Sequence, residues 1–186
     1  MASFVLLTGL PGCGKTTLVR KVIGELKSVS ETTNVKGFYT EDVKNSENRR
    51  IGFDFVTFDG SRGVLARIGA AETGAHHRRV GKYIVRLQEF ENLCLRTIEA
   101  CDENSLIVID EIGSMELQSQ LFTKMIENIL MTNIKLKIIA TVPVRNQNAM
   151  IQQLKYHPRS QVFNVTEKNR EEIFANILQA TQNLIR

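Results

Sequence analysis

Cysteine is scarce in this 186-residue chain, and the three present, Cys13, Cys94 and Cys101, lack zinc-ligand or disulfide-framework spacing. A disulfide scaffold is therefore excluded, and a reducing, cytoplasmic setting is expected. Cys94 and Cys101 are seven apart, so on a helix they share one face as small buried hydrophobes. Long apolar runs are also missing. The strongest, Leu106–Ile109 and Ile138–Val144, fall far short of the ~18–20 residues that cross a bilayer, so no membrane partner is expected. The start, Met-Ala-Ser-Phe-Val-Leu-Leu, has no basic region and runs straight into a glycine-rich loop, unlike a signal peptide. No repeat, low-complexity tract or linker composition breaks the chain. With 42% hydrophobic and 24% charged residues it is neither disordered nor collagenous. A single domain over 1–186 is expected.

The charge is formally +4, and its position says more than its size. Between Lys36 and Arg86 ten Lys/Arg stand against six Asp/Glu, so this middle stretch holds the whole surplus. Such a stretch suits a nucleic-acid binder, an enzyme that handles phosphates, or a solvated surface, and +4 is too modest to demand an anionic partner. Aromatic residues are not interleaved with the basic ones as in single-strand binders, which argues against a nucleic-acid partner.

The coarse pattern alternates strand and helix. Phe4–Thr8 is a short apolar run closed by Gly9, the mark of a buried strand. Lys15 to about Val29 reads as a helix with Leu18, Val22, Ile23 and Leu26 on one stripe. Three strand-like runs follow, Gly37–Val43, Gly52–Phe58 and Gly63–Ile68, joined by turn residues as in an antiparallel insert. Gly69–Arg79 reads as an exposed polar loop and Lys82–Leu87 as a strand. Gln88–Asp102 is predicted helical, with Phe90, Leu93, Cys94 and Ile98 inward. Leu106–Asp110 and Lys137–Thr141 are apolar without alternation, as in a parallel sheet covered on both faces. Met115–Met131, Gln147–Tyr156 and Glu167–Ile185 complete the helices, with Gln161–Val165 as a last strand. Thr166 is a candidate N-cap for the closing helix. The whole predicts an α/β sandwich with a mainly parallel sheet.

Gly9-Leu10-Pro11-Gly12-Cys13-Gly14-Lys15-Thr16 fits G-x-x-x-x-G-K-[ST] at every fixed position, between a buried strand and an amphipathic helix. Glycines let the backbone wrap an oxyanion with N–H groups inward, and the helix N-terminus adds its positive dipole end. Lys15 reaches the β- and γ-phosphates, the Thr16 hydroxyl is a ligand for Mg²⁺, and Thr17 reaches the α-phosphate side. The rival dinucleotide pattern G-x-G-x-x-G fails because its third glycine is Thr17.

About ninety residues later, four aliphatics lead into Asp110-Glu111. In an open sheet such an Asp emerges beside Thr16, where it can hold Mg²⁺. An acid one residue on can polarise the water that attacks the γ-phosphorus. This favours water as acceptor over the alternative of a small-molecule or nucleoside kinase, which must exclude water. A partner-activated ATPase module, driven by nucleic acid or protein, is the other alternative. No Asn-Lys-x-Asp motif occurs, which argues against a guanine-specific switch and for broad base tolerance. Weaker candidates are Thr141 as a polar sensor at a strand end, and Arg78, Arg79, Arg145 or Arg159 as a charge-neutralising finger. Glu116 either caps a helix or lies beside the site. His76, His77 and His157 lack metal-site spacing.

Five further blocks carry a resemblance: Gly37-Phe38-Tyr39-Thr40-Glu41, Arg50-Ile51-Gly52-Phe53-Asp54, Val80-Gly81-Lys82-Tyr83, Ile109-Asp110-Glu111-Ile112-Gly113-Ser114-Met115-Glu116 and Val162-Phe163-Asn164-Val165-Thr166. With the phosphate loop, they resemble the small nucleoside-triphosphatases of the cancer-related nucleoside-triphosphatase family, with its archaeal and bacterial relatives. The resemblance runs from Gly9 to about Arg170. It implies a RecA-like P-loop NTPase fold, a mainly parallel sheet flanked by helices with an antiparallel strand insert. It also implies slow, Mg²⁺-dependent release of the terminal phosphate of ATP, GTP and other nucleoside triphosphates, CTP and UTP included. Gly9–Thr16 would bind nucleotide, with Asp110 and Glu111 as the second motif. A monomer is expected.

Overall fold

The computed structural model describes residues 3–29, 34–69, 78–102, 104–131, 136–145 and 148–185. Among the described residues nine strands form one sheet: β1 (Phe4–Gly9), β2 (Asn34–Lys44), β3 (Arg50–Thr57), β4 (Arg62–Ile68), β5 (Arg78–Val80), β6 (Tyr83–Val85), β7 (Ser105–Asp110), β8 (Lys137–Pro143) and β9 (Ser160–Asn164). Their order is β5-β6-β4-β3-β2-β7-β8-β1-β9. From β2 to β9 every pair is parallel, and from β2 to β5 every pair is antiparallel. The antiparallel strands expected from the sequence are thus an extension of the parallel sheet, edge to edge.

Helices cover the two faces. On one lie α1 (Lys15–Val29) and α6 (Arg170–Ile185), whose Leu18, Val22, Ile23, Leu26, Ile177 and Leu184 pack with Val5, Leu7 and Val108 of the sheet. On the other lie α2 (Leu87–Phe90), α3 (Arg96–Glu99), α4 (Gln120–Met131) and α5 (Ala149–Tyr156), packed on Leu6, Phe38, Ile107 and Ile109. Here Phe90 meets Phe38 and Phe122 edge-on, each at 5.4 Å between centroids, a geometry favoured by the ring quadrupoles. β1 and β7 are buried along their whole length. This explains their unbroken apolar runs.

Several boundaries differ from the sequence reading for local reasons. The loop expected over Gly69–Arg79 ends early, because Arg78–Val80 pairs with β6 as an edge strand; residues 70–77, His76 and His77 among them, lie outside the described residues. The helix expected over Gln88–Asp102 runs from Leu87 to Glu99 and widens to a π turn at Glu91–Leu95. Met115–Met131 is split: a 3₁₀ turn at Glu116–Gln118 precedes α4, whose first turn begins after Ser119, where the Ser119 hydroxyl accepts the Phe122 N–H. The strand expected over Lys137–Thr141 runs two residues further, to Pro143, since parallel pairing with β1 continues to Gly9. Thr166 does cap, one turn ahead of α6. Its hydroxyl accepts the Asn169 N–H while the Asn169 side chain accepts the Thr166 N–H, a reciprocal box. Cys94 is buried as expected, and Cys101 half-buried.

Candidate active site

The parallel strands present their C-terminal ends at one edge of the sheet, where ligands of open α/β sheets bind. There the pairs Gly9–Pro143, Ile109–Ala140 and Tyr39–Asp110 bring the glycine-rich loop, Thr141 and the acid pair onto neighbouring strands. β8, with Thr141, stands between the loop strand β1 and the acid strand β7.

The loop leaves β1 at Gly9 and enters α1 at Lys15. Gly12 and Gly14 adopt φ of +80° and +104°, a region that glycine enters without penalty and that curls the backbone around an anion. Gly9 has no room for a side chain: a Cβ would stand 2.3 Å from the Val165 carbonyl oxygen and 2.7 Å from the Cys13 sulfur. Lys15 is buried, and its ammonium donates to the Gly9 and Leu10 carbonyls at 3.1 and 3.3 Å. The charge is therefore held against the loop. Thr16 is half-buried, while Leu10, Pro11, Gly12 and Thr17 are exposed.

Asp110 closes β7 and is 1% exposed. The Thr141 hydroxyl donates to its Oδ1 at 2.5 Å. Thr141 thus bears on the carboxylate directly. Burial pushes the Asp110 pKa up; the Thr141 and Thr16 hydroxyls and the Lys15 charge oppose it. Asp110 Oδ2 is buried and, among the described residues, has no hydrogen-bond partner. An orphaned carboxylate oxygen beside the Thr16 hydroxyl suits a hard cation with oxygen ligands. No group of three or more His, Cys, Asp or Glu able to hold a metal occurs among the described residues. A cation at Asp110 would then take its remaining ligands from phosphate and water, the habit of Mg²⁺.

Glu111 follows through a cis peptide. Burial raises its pKa, with Lys15 opposing and Asp110 adding to the shift. Glu116, left between two roles by the sequence, lies beside this site. It is 4% exposed, and its Oε2 accepts the Gly113 N–H at 3.1 Å. A Cβ on Gly113 would stand 2.8 Å from Glu111 Oε1 and 3.0 Å from Glu116 Oε2. The two carboxylates therefore face each other across that glycine. Burial, and then the Glu111 charge, push the Glu116 pKa up to about 8.

The arginines separate. Arg78 and Arg79 sit on β5, five strand steps from β7, roughly 24 Å at the usual strand spacing. The structure does not bring them to the loop. Arg159 lies at the opposite edge, its guanidinium 5.3 Å from the Phe4 ring and donating to the Ile129 and Leu130 carbonyls. Arg145 is exposed two residues beyond Pro143, at the loop's edge of the sheet. The sequence reading missed Arg170. A Cβ on Gly14 would stand 3.5 Å from Arg170 Cδ and 3.7 Å from its Nη1, so this first residue of α6 lies over the phosphate loop. Only the pairing of β9 beside β1 puts it there.

A phosphate loop on the strand beside β8, an acid pair on the next, and the parallel order β9-β1-β8-β7-β2 define the class of RecA-like P-loop NTPases. Within that class the chain belongs to the family described as NTPase, whose model matches residues 4–178. It is 42% identical to the human cancer-related nucleoside-triphosphatase over 98% of each chain. It is 39% identical to the nucleoside-triphosphatase THEP1 of Thermotoga petrophila, covering 94% of this chain and 90% of that one. The crystal structure of THEP1 from Aquifex aeolicus superposes with a TM-score of 0.82 at 30% identity, covering 96% of this chain and 99% of that one. The solution structure of the human protein gives 0.80 at 40% identity, covering 98% of each. No helix among the described residues is long and apolar enough to cross a membrane.

Proposed function

We propose that this chain hydrolyses nucleoside triphosphates, releasing the terminal phosphate of ATP, GTP, CTP and UTP with little regard for the base. The observation that carries the reading is the convergence, at one edge of the sheet, of the Lys15 ammonium, the half-satisfied Asp110 carboxylate and Glu111. The names of the relatives agree with it. Backbone N–H groups of Gly12–Thr16 and the α1 N-terminus bind the phosphates, and Lys15 neutralises charge on the β–γ bridge. Thr16 and Asp110 would hold Mg²⁺, which when bound offsets charge on the β- and γ-oxygens. Thr141 orients Asp110 through its hydroxyl. Glu111 orients and deprotonates the attacking water; its raised pKa brings it nearer the range of a useful base. Glu116, uncharged below about pH 8, keeps a second negative charge away from Glu111.

Base tolerance follows from recognition concentrated on phosphates. We take the chain to act as a monomer, with neither nucleic acid nor membrane as partner. Phosphate release from the four triphosphates, with wild type and Glu111→Gln in parallel, tests the reading. The variant is expected to keep nucleotide affinity and lose turnover by about 10²–10⁴-fold, the range of a positioned base. Equal loss of binding would give Glu111 a structural role instead. Phosphate transferred to a hydroxyl acceptor in preference to water would favour a kinase.

A further inference from the structure

A second cleft lies off the phosphate loop, between α1 and the β2–β4 hairpins. Its volume is about 380 Å³, and Arg20, Gly24, Lys27, Tyr39, Phe58 and Gly60 line it. Two aromatic rings form its wall, Tyr39 and Phe58, edge to face at 5.7 Å and each half-exposed. A cation stands over each ring: the Arg20 guanidinium 4.7 Å from the Tyr39 centroid, and the Lys27 ammonium 5.6 Å from that of Phe58.

Two carboxylates lie near its rim. Glu41 lies 3.5 Å from Arg20 but 2.5 Å from Arg62. Asp59 accepts the Thr57 hydroxyl and the Ser61 N–H. The lining itself holds two cations, Arg20 and Lys27, and no carboxylate, so it is basic as well as aromatic. Its opening is kept by two residues without side chains. Gly60 turns the chain at φ +92°. Gly24 sits inside the 15-residue helix α1, where a Cβ would meet nothing within 4 Å, although glycine there costs helix stability relative to alanine. A larger residue would fit the helix and fill the cleft.

Rings that accept stacking, flanked by cations that accept phosphate, are the recognition chemistry of nucleotides. The position is distinct from the phosphate loop. Arg20 begins one helical turn beyond Thr16, Lys27 lies almost two turns further, and both face the hairpin side. We propose that this cleft binds a second nucleotide, its base against Tyr39 and Phe58 and its phosphate on Arg20 and Lys27. A monophosphate suffices here, since among the described residues the lining offers two cations and no glycine-rich phosphate loop.

Calorimetric titration with AMP tests this, using wild type, Lys15→Ala, Gly24→Phe and the double variant Arg20→Glu/Lys27→Glu, with adenosine and inorganic phosphate as half-ligands. AMP is expected to bind wild type and Lys15→Ala alike, and at least tenfold more weakly to Gly24→Phe and to the double variant. Each half-ligand alone is expected to bind at least tenfold more weakly than AMP. Gly24→Ala, which adds one methyl, is expected to retain AMP, so fold loss in the phenylalanine variant would not mask the result. Binding abolished by Lys15→Ala but unchanged in Gly24→Phe would place AMP on the phosphate loop and overturn the proposal. Absence of binding to wild type at millimolar AMP would overturn it too. Neither result bears on hydrolysis, which Glu111→Gln tests separately.

Discussion

Replacing Thr141 by valine isolates one hydrogen bond at the centre of the site. The side chain is fully buried on β8, and its hydroxyl donates to Asp110 Oδ1 at 2.5 Å, while Oδ2 has no hydrogen-bond partner among the described residues. Valine keeps the shape and removes the donor. A hydrogen bond to a charged group contributes about 1.5–3 kcal/mol. For a chain of this size that is a fall in Tm of about 3–12 °C, at about 2–4 °C per kcal/mol. Thr141→Ser keeps the hydroxyl and loses one methyl, about 0.8 kcal/mol. Urea unfolding in chelator-treated buffer reads both variants. The pH dependence has a definite sign. The bond favours the ionised carboxylate, while burial raises the Asp110 pKa, so the deficit of the valine variant should be largest above the Asp110 titration and shrink as pH falls through it. Phosphate release should fall together with stability. A valine variant as stable as wild type at every pH, or a deficit that grows in acid, would refute the argument that Thr141 acts through the Asp110 charge.

Lys15→Ala should abolish nucleotide binding and hydrolysis together, read by equilibrium binding and phosphate release, since the ammonium is held against the loop proposed to bind the phosphates. Glu116 has its pKa raised from 4.5 to about 8. The folded chain therefore keeps a proton that the unfolded chain releases, and stability should decline as pH rises from about 4.5 to about 8. Glu116→Gln should flatten that decline in urea titrations at pH 5, 6.5 and 8; an unchanged slope would mean the carboxyl is not proton-bearing. Arg78→Ala and Arg79→Ala should leave phosphate release within twofold of wild type, since both lie on the far edge strand; a hundredfold loss in either would show that the arginine reaches the site.

The features legible in the sequence are those whose physics is local. The phosphate loop needs glycines at fixed offsets and a lysine at the helix start, all within eight consecutive residues, so its geometry is written in its spacing. The apolar run ahead of Asp110 reports burial on both faces without reference to any neighbour. Helix α1 announces itself by a stripe of four aliphatics, all of them buried. Periodicity says which face of an element is covered. It does not say what lies beside it.

Lateral placement was decided by the tertiary structure, because strand order depends on hydrogen bonds between segments distant in the chain. That order sets Thr141 between the loop and the acids, gives its hydroxyl to Asp110, and carries Arg78 and Arg79 five strands away. Glu116 depends likewise on how the 3₁₀ turn folds back on Gly113 and Glu111, and Arg170 on β9 lying next to β1. The sequence determined by itself that a glycine-rich phosphate-loop motif opens a helix and that an acid pair closes a buried strand. Only the fold decided which other side chains share their edge of the sheet, since in a parallel sheet adjacency is set by register across strands and not by proximity along the chain.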